Sequence, residues 1–425
     1  MIAKKTTREI VEAGLARRRR KEATFRFIGF VATAVGVLFL GVFFATLIAN
    51  GASAFKQTFV QLEVTLDADT IAPGGDLDLQ YADFDGLVRA ALLERFPPVS
   101  SRGERRELYR LISVGAGYQL RDLVELRPDL VGTTQTLWVP ASSTVDMLLK
   151  GNIDASVDET LRTLSDRQIA WVNDLIEAGQ VRSQFNSALF SSGDSRDPEL
   201  AGIKGAVMGS FYMLLVTIVL SFPIGVAAAI YLEEFAPKNR WSDLIEVNIN
   251  NLAAVPSIVF GLLGLAVFIN WMSLPRSAPL VGGLVLTLLT LPVIIIASRA
   301  AIQAVPPSIR EAALGLGASQ MQVVFHHVLP LAMPGMLTGA IIGMSRALGE
   351  SAPLLMIGMV AFIVDVPGSF TDPATALPVQ IYLWADSPER AFAERTSAAI
   401  IVLLGFLLLM NLAAVIMRKR MERKW

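Results

Sequence analysis

Six apolar stretches, each about 20 residues long, alternate with polar segments along this chain. That length suits a helix that crosses the hydrocarbon core of a bilayer. With 53% hydrophobic residues and a mean hydropathy of +0.52, the whole chain has the composition of an integral membrane protein. The pattern predicts an all-α polytopic membrane protein whose six transmembrane helices lie at Phe27–Ala49, Gly205–Leu232, Leu252–Met272, Pro279–Ser298, Pro334–Val360 and Ser397–Met417.

A long polar segment, residues 50–204, separates the first two apolar stretches. It is long enough for a small domain, and amphipathic stretches at Phe84–Arg95 and Ser165–Ala178 predict helices there. We expect an insertion that is either α/β or mostly helical. Its acidic residues outnumber its basic ones, so we do not expect it to attract an anionic solute. A docking or gating role, or an insertion confined to one lineage, remains open.

Basic residues flank the two ends of the apolar region and predict its orientation. Arg17–Lys21 precedes the first stretch, and Arg418, Lys419, Arg420, Arg423 and Lys424 follow the last. Because cytoplasmic flanks are enriched in Lys and Arg, both termini are predicted to be cytoplasmic, which agrees with an even number of spans. The predicted organisation is a basic cytoplasmic N-terminus (1–26), a first helix (27–49), a periplasmic domain (50–204), a five-helix core (205–417) with a cytoplasmic loop (299–333), and a basic cytoplasmic tail (418–425).

Composition excludes several kinds of chemistry. The chain has no cysteine and only two histidines, His326 and His327, so disulfides, thiolate chemistry and a histidine-rich metal site are not expected. A net charge of −1 gives no nucleic-acid signature. The sequence also has no G-x-x-x-x-G-K-[ST] loop. We therefore expect no enzymatic activity, no resident cofactor and no metal.

The loop between the fourth and fifth stretches has helix signals of its own. Ser308 and Glu311 have the spacing of a capping box, so a helix is expected at Ile309–Leu316. Gly317 suits a left-handed C-cap, and Ser319 can begin a second helix toward Val328. The small residues of the first helix, Ala312 and Ala313, are expected on its surface, where they would let it enter a groove on a partner. Pro330 and Pro334 are expected to mark the next boundary.

The fifth stretch contains two ionisable residues, Arg346 and Glu350. A charge at the centre of a bilayer costs about 2.5–3.5 kcal/mol on insertion scales, and the i, i+4 spacing places both groups on one helix face. One interpretation is a structural salt bridge. The other is that Arg346 presents its planar guanidinium to an anionic solute while Glu350 orients it. Arg299 is a weaker candidate for the pathway, and an anchor at the membrane surface is its favoured interpretation.

Two motifs resemble a known family. Glu311, Ala312, Ala313, Gly317, Leu329 and Pro330 have the spacing of the cytoplasmic loop through which ABC importer permeases contact their ATPase subunits, with one departure at His327. The segment Arg346–Leu355 (R-A-L-G-E-S-A-P-L-L) resembles the fifth-span signature of phosphate-specific importer permeases, and its form is closer to the PstA type than to the PstC type. Gly225–Glu234 and Ala254–Gly261 are also similar to that family.

The resemblance implies type I ABC importer permease architecture and a subunit that translocates inorganic phosphate across the bacterial inner membrane. The partners it implies are a second permease (PstC-type), two ATPase subunits (PstB-type) that bind ATP and Mg²⁺, and a periplasmic phosphate-binding protein (PstS-type). Three alternatives stay open at this point. They are a permease for another oxyanion such as sulfate or molybdate, a membrane sensor with an extracytoplasmic domain, and a proton-coupled carrier in which Glu350 titrates.

Overall fold

The computed structural model of the chain describes residues 7–72, 77, 79, 81–360 and 362–421, and the side chains from residue 17 onward together with that of Leu15. The orientation signal predicted at Arg423 and Lys424 lies outside the described residues. Helix α1, Thr7–Gly51, continues well beyond the predicted first span. Leu47 is its one buried side chain in the described part of the chain. Its last residue, Gly51, lies against the backbone of Ser397 and Ala398.

Between the first two membrane helices lies a unit of three strands and several helices, which we call the insertion domain (Lys56–Phe185). Its described strands are β1 (Lys56–Thr65), β2 (Thr134–Pro140) and β3 (Val181–Phe185), and they form an antiparallel sheet in the order β2–β1–β3. Val60 on the central strand pairs with Val139 on one side and Val181 on the other. The elements are β1 Lys56–Thr65, α2 Ala68–Ile71, α3 Phe84–Arg95, α4 Arg102–Tyr109, α5 Gly115–Leu126, β2 Thr134–Pro140, α6 Ser143–Leu149, α7 Asp166–Glu177 and β3 Val181–Phe185.

The core of the insertion domain lies between the sheet and helices α3, α5 and α7. Alternate residues of β1 point inward, and Val60, Leu62 and Val64 are buried with Leu92 and Leu120, as the two-residue period of a strand requires. Helices α3 and α7 confirm the two predicted amphipathic stretches. The domain therefore has an apolar core of its own.

The rest of the chain is a helical bundle. It consists of α8 Ala188–Ser191, α9 Lys204–Ile230, α10 Arg240–Ala253, α11 Ser257–Gly264, α12 Pro279–Gln303, α13 Pro307–Gly315, α14 Gln320–Val323, α15 Leu329–Gly349, α16 Ala352–Met356, α17 Leu377–Ala385 and α18 Ala391–Met421, with π-helical turns at Tyr231–Phe235, Leu265–Trp271 and Val324–Val328. Five helical stretches in the described part of the chain are long and apolar enough to cross a membrane, and a bent pair can supply a sixth.

The packing of α9 on α12 identifies the bent pair as a crossing. A Cβ at Gly283 would meet Val216, and one at Gly225 would meet Ile294. Contact positions thus advance in the same direction along both helices, so α9 and α12 are parallel. Two parallel spanning helices need one crossing between them, and α10 with α11 provides it.

Three sequence-based boundaries are wrong. The predicted third span, Leu252–Met272, is broken between α10 and α11, which meet at a bend of 100°, because Pro256 disfavours helical geometry in the residue before it. The predicted fifth span, Pro334–Val360, ends at Gly349, because Pro353 has no amide to donate to the Gly349 carbonyl. The expected boundary at Pro330 and Pro334 is absent, since helix continues from Gln320 to Gly349.

The helix passes Pro330 by widening. The residues just before it, Val324–Val328, form a π-helical turn. Pro330 removes the donor that would bond four residues back, and a π-helical turn locally replaces that bonding pattern. Further along the same helix, the Thr338 hydroxyl donates to the Pro334 carbonyl at 2.8 Å. Both prolines therefore lie within one long element.

Candidate functional site

The loop that the sequence singled out, which we call the E-A-A loop (Pro307–Pro330), contains a capped helix turn. Gly317 has φ of +86°, as its predicted left-handed C-cap role requires. Its amide donates to the Leu314 carbonyl at 2.9 Å, and the next amide, from Ala318, donates to the Ala313 carbonyl at 3.1 Å. These bonds satisfy carbonyls that the end of α13 would otherwise leave open.

The N-terminal cap of α13 differs from the prediction. The helix begins at Pro307 after Pro306, without a side-chain cap. Ser308 therefore lies inside the helix, and its expected capping box with Glu311 does not form. Prolines are favoured at the first helical position because their missing amide needs no partner there. A capping box does form at Ser319, whose side chain and backbone both bond to Gln322, so the predicted start of the second helix is confirmed.

The residues of the E-A-A motif differ in how exposed they are. Glu311, Ala312 and Gly317 are exposed, Ala313 is buried, and Leu329 and Pro330 are half-buried. The expectation that both alanines lie on the surface is thus wrong for Ala313, which packs with Val323 and Val328 beneath the loop. Among the described residues, no side chain pairs with the Glu311 carboxylate. The surface of the loop therefore presents a free carboxylate beside a small side chain.

Arg310, which the sequence analysis missed, ties this loop to the π-helical turn that follows α9. Its guanidinium bonds to Glu234 at 2.7 Å and 3.1 Å, and also donates to the carbonyls of Val305 and Ile302 at 2.7 Å and 3.0 Å. Gln320 donates to the Glu234 carbonyl at 2.5 Å. The usable signal in the sequence was a pair of adjacent glutamates at the end of one span and an arginine just before the E-A-A motif.

Arg299 is held in the same region by two carboxylates. Its Nε lies 2.5 Å from Glu233 and its Nη2 lies 2.9 Å from Glu246. Gln303 adds a bond to the second oxygen of Glu233 at 3.0 Å. The arginine is 16% exposed. Its two ion pairs connect α12 to α10 and to the π-helical turn that follows α9, which favours a role in packing. We call this group, Glu233, Glu234, Glu246, Arg299 and Arg310, the anchoring network.

The charged pair of the fifth span lies at the end of α15. The Arg346 Nε is 3.3 Å from Glu350 Oε1, and the two side chains are 45% and 19% exposed. Glu350 follows the last helical residue and has extended backbone geometry. The arginine in the last turn is favourably placed relative to the helix dipole.

The depth of Arg346 follows from helix packing. A Cβ at Gly343 would lie 3.7 Å from atoms of Thr290 and Ile294, which are near the middle of α12. Arg346 is three residues further along α15, about 5 Å away. Within the described chain, its one ion-pair or hydrogen-bond contact is through Nε. Its two terminal nitrogens are therefore open, close to the middle of the bundle.

A second charged cluster joins the insertion domain to α18. Lys150 lies 2.6 Å from Asp146 and 2.7 Å from Glu394. The neighbouring Arg395 is 3% exposed and interacts electrostatically with both carboxylates and with Glu199. Burial raises the pKa of Glu199 above its ordinary value. The sequence analysis missed this cluster because Arg395 directly precedes an apolar stretch and looked like ordinary flanking charge.

Burial also shifts Asp194, which lies between the insertion domain and α17. Desolvation raises the pKa of its carboxyl, and the hydrogen bond from Trp384 Nε1, 2.9 Å long, opposes that shift. No cation pairs with it among the described residues. The first cluster fixes the insertion domain against α18, and the Asp194–Trp384 bond fixes the segment after α8 against α17.

Comparisons with known proteins agree with this architecture. Residues 221–424 match the family described as binding-protein-dependent transport system inner membrane component, and residues 12–159 match a domain of unknown function, DUF3333. The chain is 36% identical over 174 residues to the probable ABC transporter permease protein YqgI of Bacillus subtilis, a match that covers 41% of this chain and 58% of the relative.

It is 32% identical over 217 residues to the phosphate transport system permease protein PstA 1 of Mycobacterium tuberculosis, covering 51% of this chain and 70% of the relative. Among solved structures, an inward-facing form of the MetNI methionine ABC transporter has a TM-score of 0.42 at 21% identity, covering 52% of this chain and 97% of the other. The chain belongs to the family of binding-protein-dependent transport system inner membrane components, and its relatives include phosphate transport system permeases of the PstA type.

Proposed function

We propose that this chain is the permease subunit of an ATP-driven importer that translocates inorganic phosphate across the bacterial inner membrane. The observation that carries the proposal is the Arg346 side chain, which is 45% exposed although it lies near the middle of a membrane helix bundle. A cation in such a position is costly unless it is paired or faces a water-filled cavity. Relatives named as phosphate transport system permeases supply the solute class.

The chemistry at Arg346 suits an oxyanion. Glu350 is 3.3 Å from Nε, so the terminal nitrogens remain available as a planar fork, which matches two oxygens of a tetrahedral anion. The glutamate limits the net positive charge of the site. Phosphate can therefore be attracted without being held too strongly to leave.

In this proposal, ATP hydrolysis by a partner acts on the chain at the E-A-A loop, away from Arg346. The free carboxylate of Glu311 and the small Ala312 side chain form a surface that fits the groove of an ATPase partner, which would bind the ATP and Mg²⁺. Movement of that partner would pass from α13 through Arg310 and Glu234, 2.7 Å apart, into α9. This chain itself then needs no cofactor and acts as a transport subunit, not as an enzyme.

The proposed assembly contains this chain, a PstC-type permease, two PstB-type ATPases and a PstS-type phosphate-binding protein. In it, both termini and the E-A-A loop are cytoplasmic and the insertion domain is periplasmic. This orientation follows from the basic flanks at Arg17–Lys21 and Arg418–Arg420, according to the distribution of Lys and Arg in membrane proteins.

Substitutions at the pair separate a solute contact from a structural salt bridge. Arg346→Gln should abolish phosphate uptake in reconstituted vesicles, while the complex still assembles. The combined Arg346→Glu and Glu350→Arg exchange keeps an ion pair but moves the cation by about one helical turn, roughly 5.4 Å. We expect assembly without uptake.

Arg240→Gln, which removes an exposed arginine on α10, is the matched control and should transport normally. Uptake near the wild-type rate in the exchanged protein would refute the solute contact and leave a structural salt bridge. Uptake of sulfate or molybdate in place of phosphate would identify a different oxyanion as the solute.

A further inference from the structure

The insertion domain is acidic in total, but its charges are sorted by position. Of its 13 lysines and arginines, four lie in the run Arg102–Arg110, which forms helix α4 and the residue after it. The two glutamates of this helix point away from them. Glu104 bonds to Ser101 and pairs with Arg167 at 2.9 Å, and Glu107 accepts from Ser165 at 3.1 Å.

Together with Arg89 of α3, these four arginines line a concavity of about 550 Å³ between α3 and α4. All five of them are exposed, and within the described part of the chain none has a carboxylate within ion-pair distance. One of them, Arg89, lies over an aromatic ring: its Cζ is 5.7 Å from the centroid of the Tyr109 ring. The five arginines are Arg89, Arg102, Arg105, Arg106 and Arg110, and Tyr109 also lines the concavity.

One carboxylate, Asp85, also lines the concavity. It is directed toward α5, because a Cβ at Gly117 would meet Asp85 Oδ1. Five like charges around one hollow repel each other, and an anion would relieve that repulsion. The volume falls within the usual range for small-molecule sites, and guanidinium forks match phosphate oxygens in pairs.

We propose that this concavity, which we call the arginine pocket, is a binding site for a small multivalent phosphate anion, separate from the membrane pathway. The sequence led us to expect no anion attraction from an acidic domain. The structure corrects that expectation. The net negative charge of the domain acts at long range, whereas the five unpaired arginines dominate the electrostatic potential within the pocket. The proposal does not depend on which solute crosses the membrane.

The test measures binding to the full chain purified in lipid nanodiscs. Inorganic phosphate, pyrophosphate and glycerol 3-phosphate are titrated separately by calorimetry, so that free and esterified phosphate are distinguished. Pyrophosphate should bind, and more weakly as salt is raised. The double variant Arg105→Gln with Arg106→Gln should weaken that binding by at least about tenfold, since each charge-assisted bond is strong.

The matched control is Arg121→Gln with Arg127→Gln, which removes the same charge from α5 and the residue after it, outside the pocket. It should change the dissociation constant by less than about twofold, as exposed charges beyond the pocket are screened. Arg346→Gln should also retain binding, which separates this site from the membrane pathway. Equal losses in the two double variants, or no binding of any of the three anions to the wild-type chain, would overturn the proposal. Binding only of an acidic protein would overturn it as well.

Discussion

The arginines in two parts of the helical bundle are used in opposite ways. In the anchoring network, Arg299 and Arg310 are 16% and 23% exposed. Arg299 is held by two carboxylates, and Arg310 is held by one carboxylate and two backbone carbonyls. Arg346 is 45% exposed and held through one nitrogen. A guanidinium that bonds through several of its nitrogens fixes the helices around it, whereas one with both terminal nitrogens open can still bind something else.

Substitution should affect stability differently in the two kinds of arginine. Removing one partner of a largely buried ion pair leaves an uncompensated charge and is strongly destabilising. Removing a half-exposed partner costs little stability, because water and counterions replace it. Substitutions in the anchoring network should therefore lower stability, and substitution of Arg346 should lower transport alone.

The largest effect on stability is expected from Arg310→Gln. It removes the pair with Glu234 and two bonds to backbone carbonyls, so we expect a loss of roughly 2–3 kcal/mol in the free energy of unfolding. Thermal unfolding in detergent and ATP-driven uptake should both decline. Arg240→Gln, an exposed change on the same end of the bundle, should leave both unchanged, and equal declines in the two variants would contradict the anchoring role.

Arg299→Lys gives an intermediate test. The lysine keeps the charge but cannot bridge Glu233 and Glu246 with a planar fork. We expect about 1 kcal/mol lower stability, with an unchanged KM for phosphate uptake. A raised KM at unchanged stability would instead place Arg299 in the solute pathway, as the weaker sequence-based interpretation has it.

The smallest effect is expected at Asp194, a buried carboxylate without a cation among its described neighbours. Its pKa is raised by burial from an ordinary value of 3.8, so the folded state holds its proton more tightly than the unfolded state. Its contribution to the free energy of unfolding is thus fully present below about pH 4 and is lost as pH rises through the folded-state pKa.

Asp194→Asn keeps an oxygen for Trp384 and has no charge to bury. As pH rises from about 4 to about 8, the thermal unfolding midpoint of the variant should fall less steeply than that of the wild-type chain. The range is set by the ordinary carboxyl pKa of about 4 and its upward shift. Ser195→Ala, which removes a neighbouring hydroxyl but no titrating group, should retain the wild-type slope. An unchanged slope in the Asp194 variant would show that burial does not raise the pKa of this carboxyl above its unfolded-state value.

Sequence periodicity predicted the apolar spans and their approximate positions, because a bilayer imposes one length on every crossing. It failed at Pro256 and Gly349, where the helices break although the composition remains apolar. Hydropathy does not record backbone hydrogen bonds, so a break inside an apolar stretch has no signal except the proline itself. The same limit explains why helix was wrongly ended at Pro330, where a π-helical turn compensates.

The candidate site was predicted unevenly for a related reason. Arg346 and Glu350 were recognisable because they are neighbours on one helix face. Arg310 and Glu234 are 76 positions apart, and their pairing depends on where α9 ends relative to α13. The arginine pocket was missed because the charge of a whole segment does not show which side chains share a surface.

The glycine contacts between α9 and α12 have a mechanical consequence. Gly225, Gly282 and Gly283 let the two helices approach until side chains of one touch the backbone of the other, and interiors packed this closely deform little. We therefore expect the pair to move as one stiff lever about 40 Å long, set by the 27 residues of α9. A displacement of about 2 Å at Glu234 would then tilt the whole lever by about 3°. Distances between spin labels at the two ends of α9 and α12 should stay constant through the transport cycle.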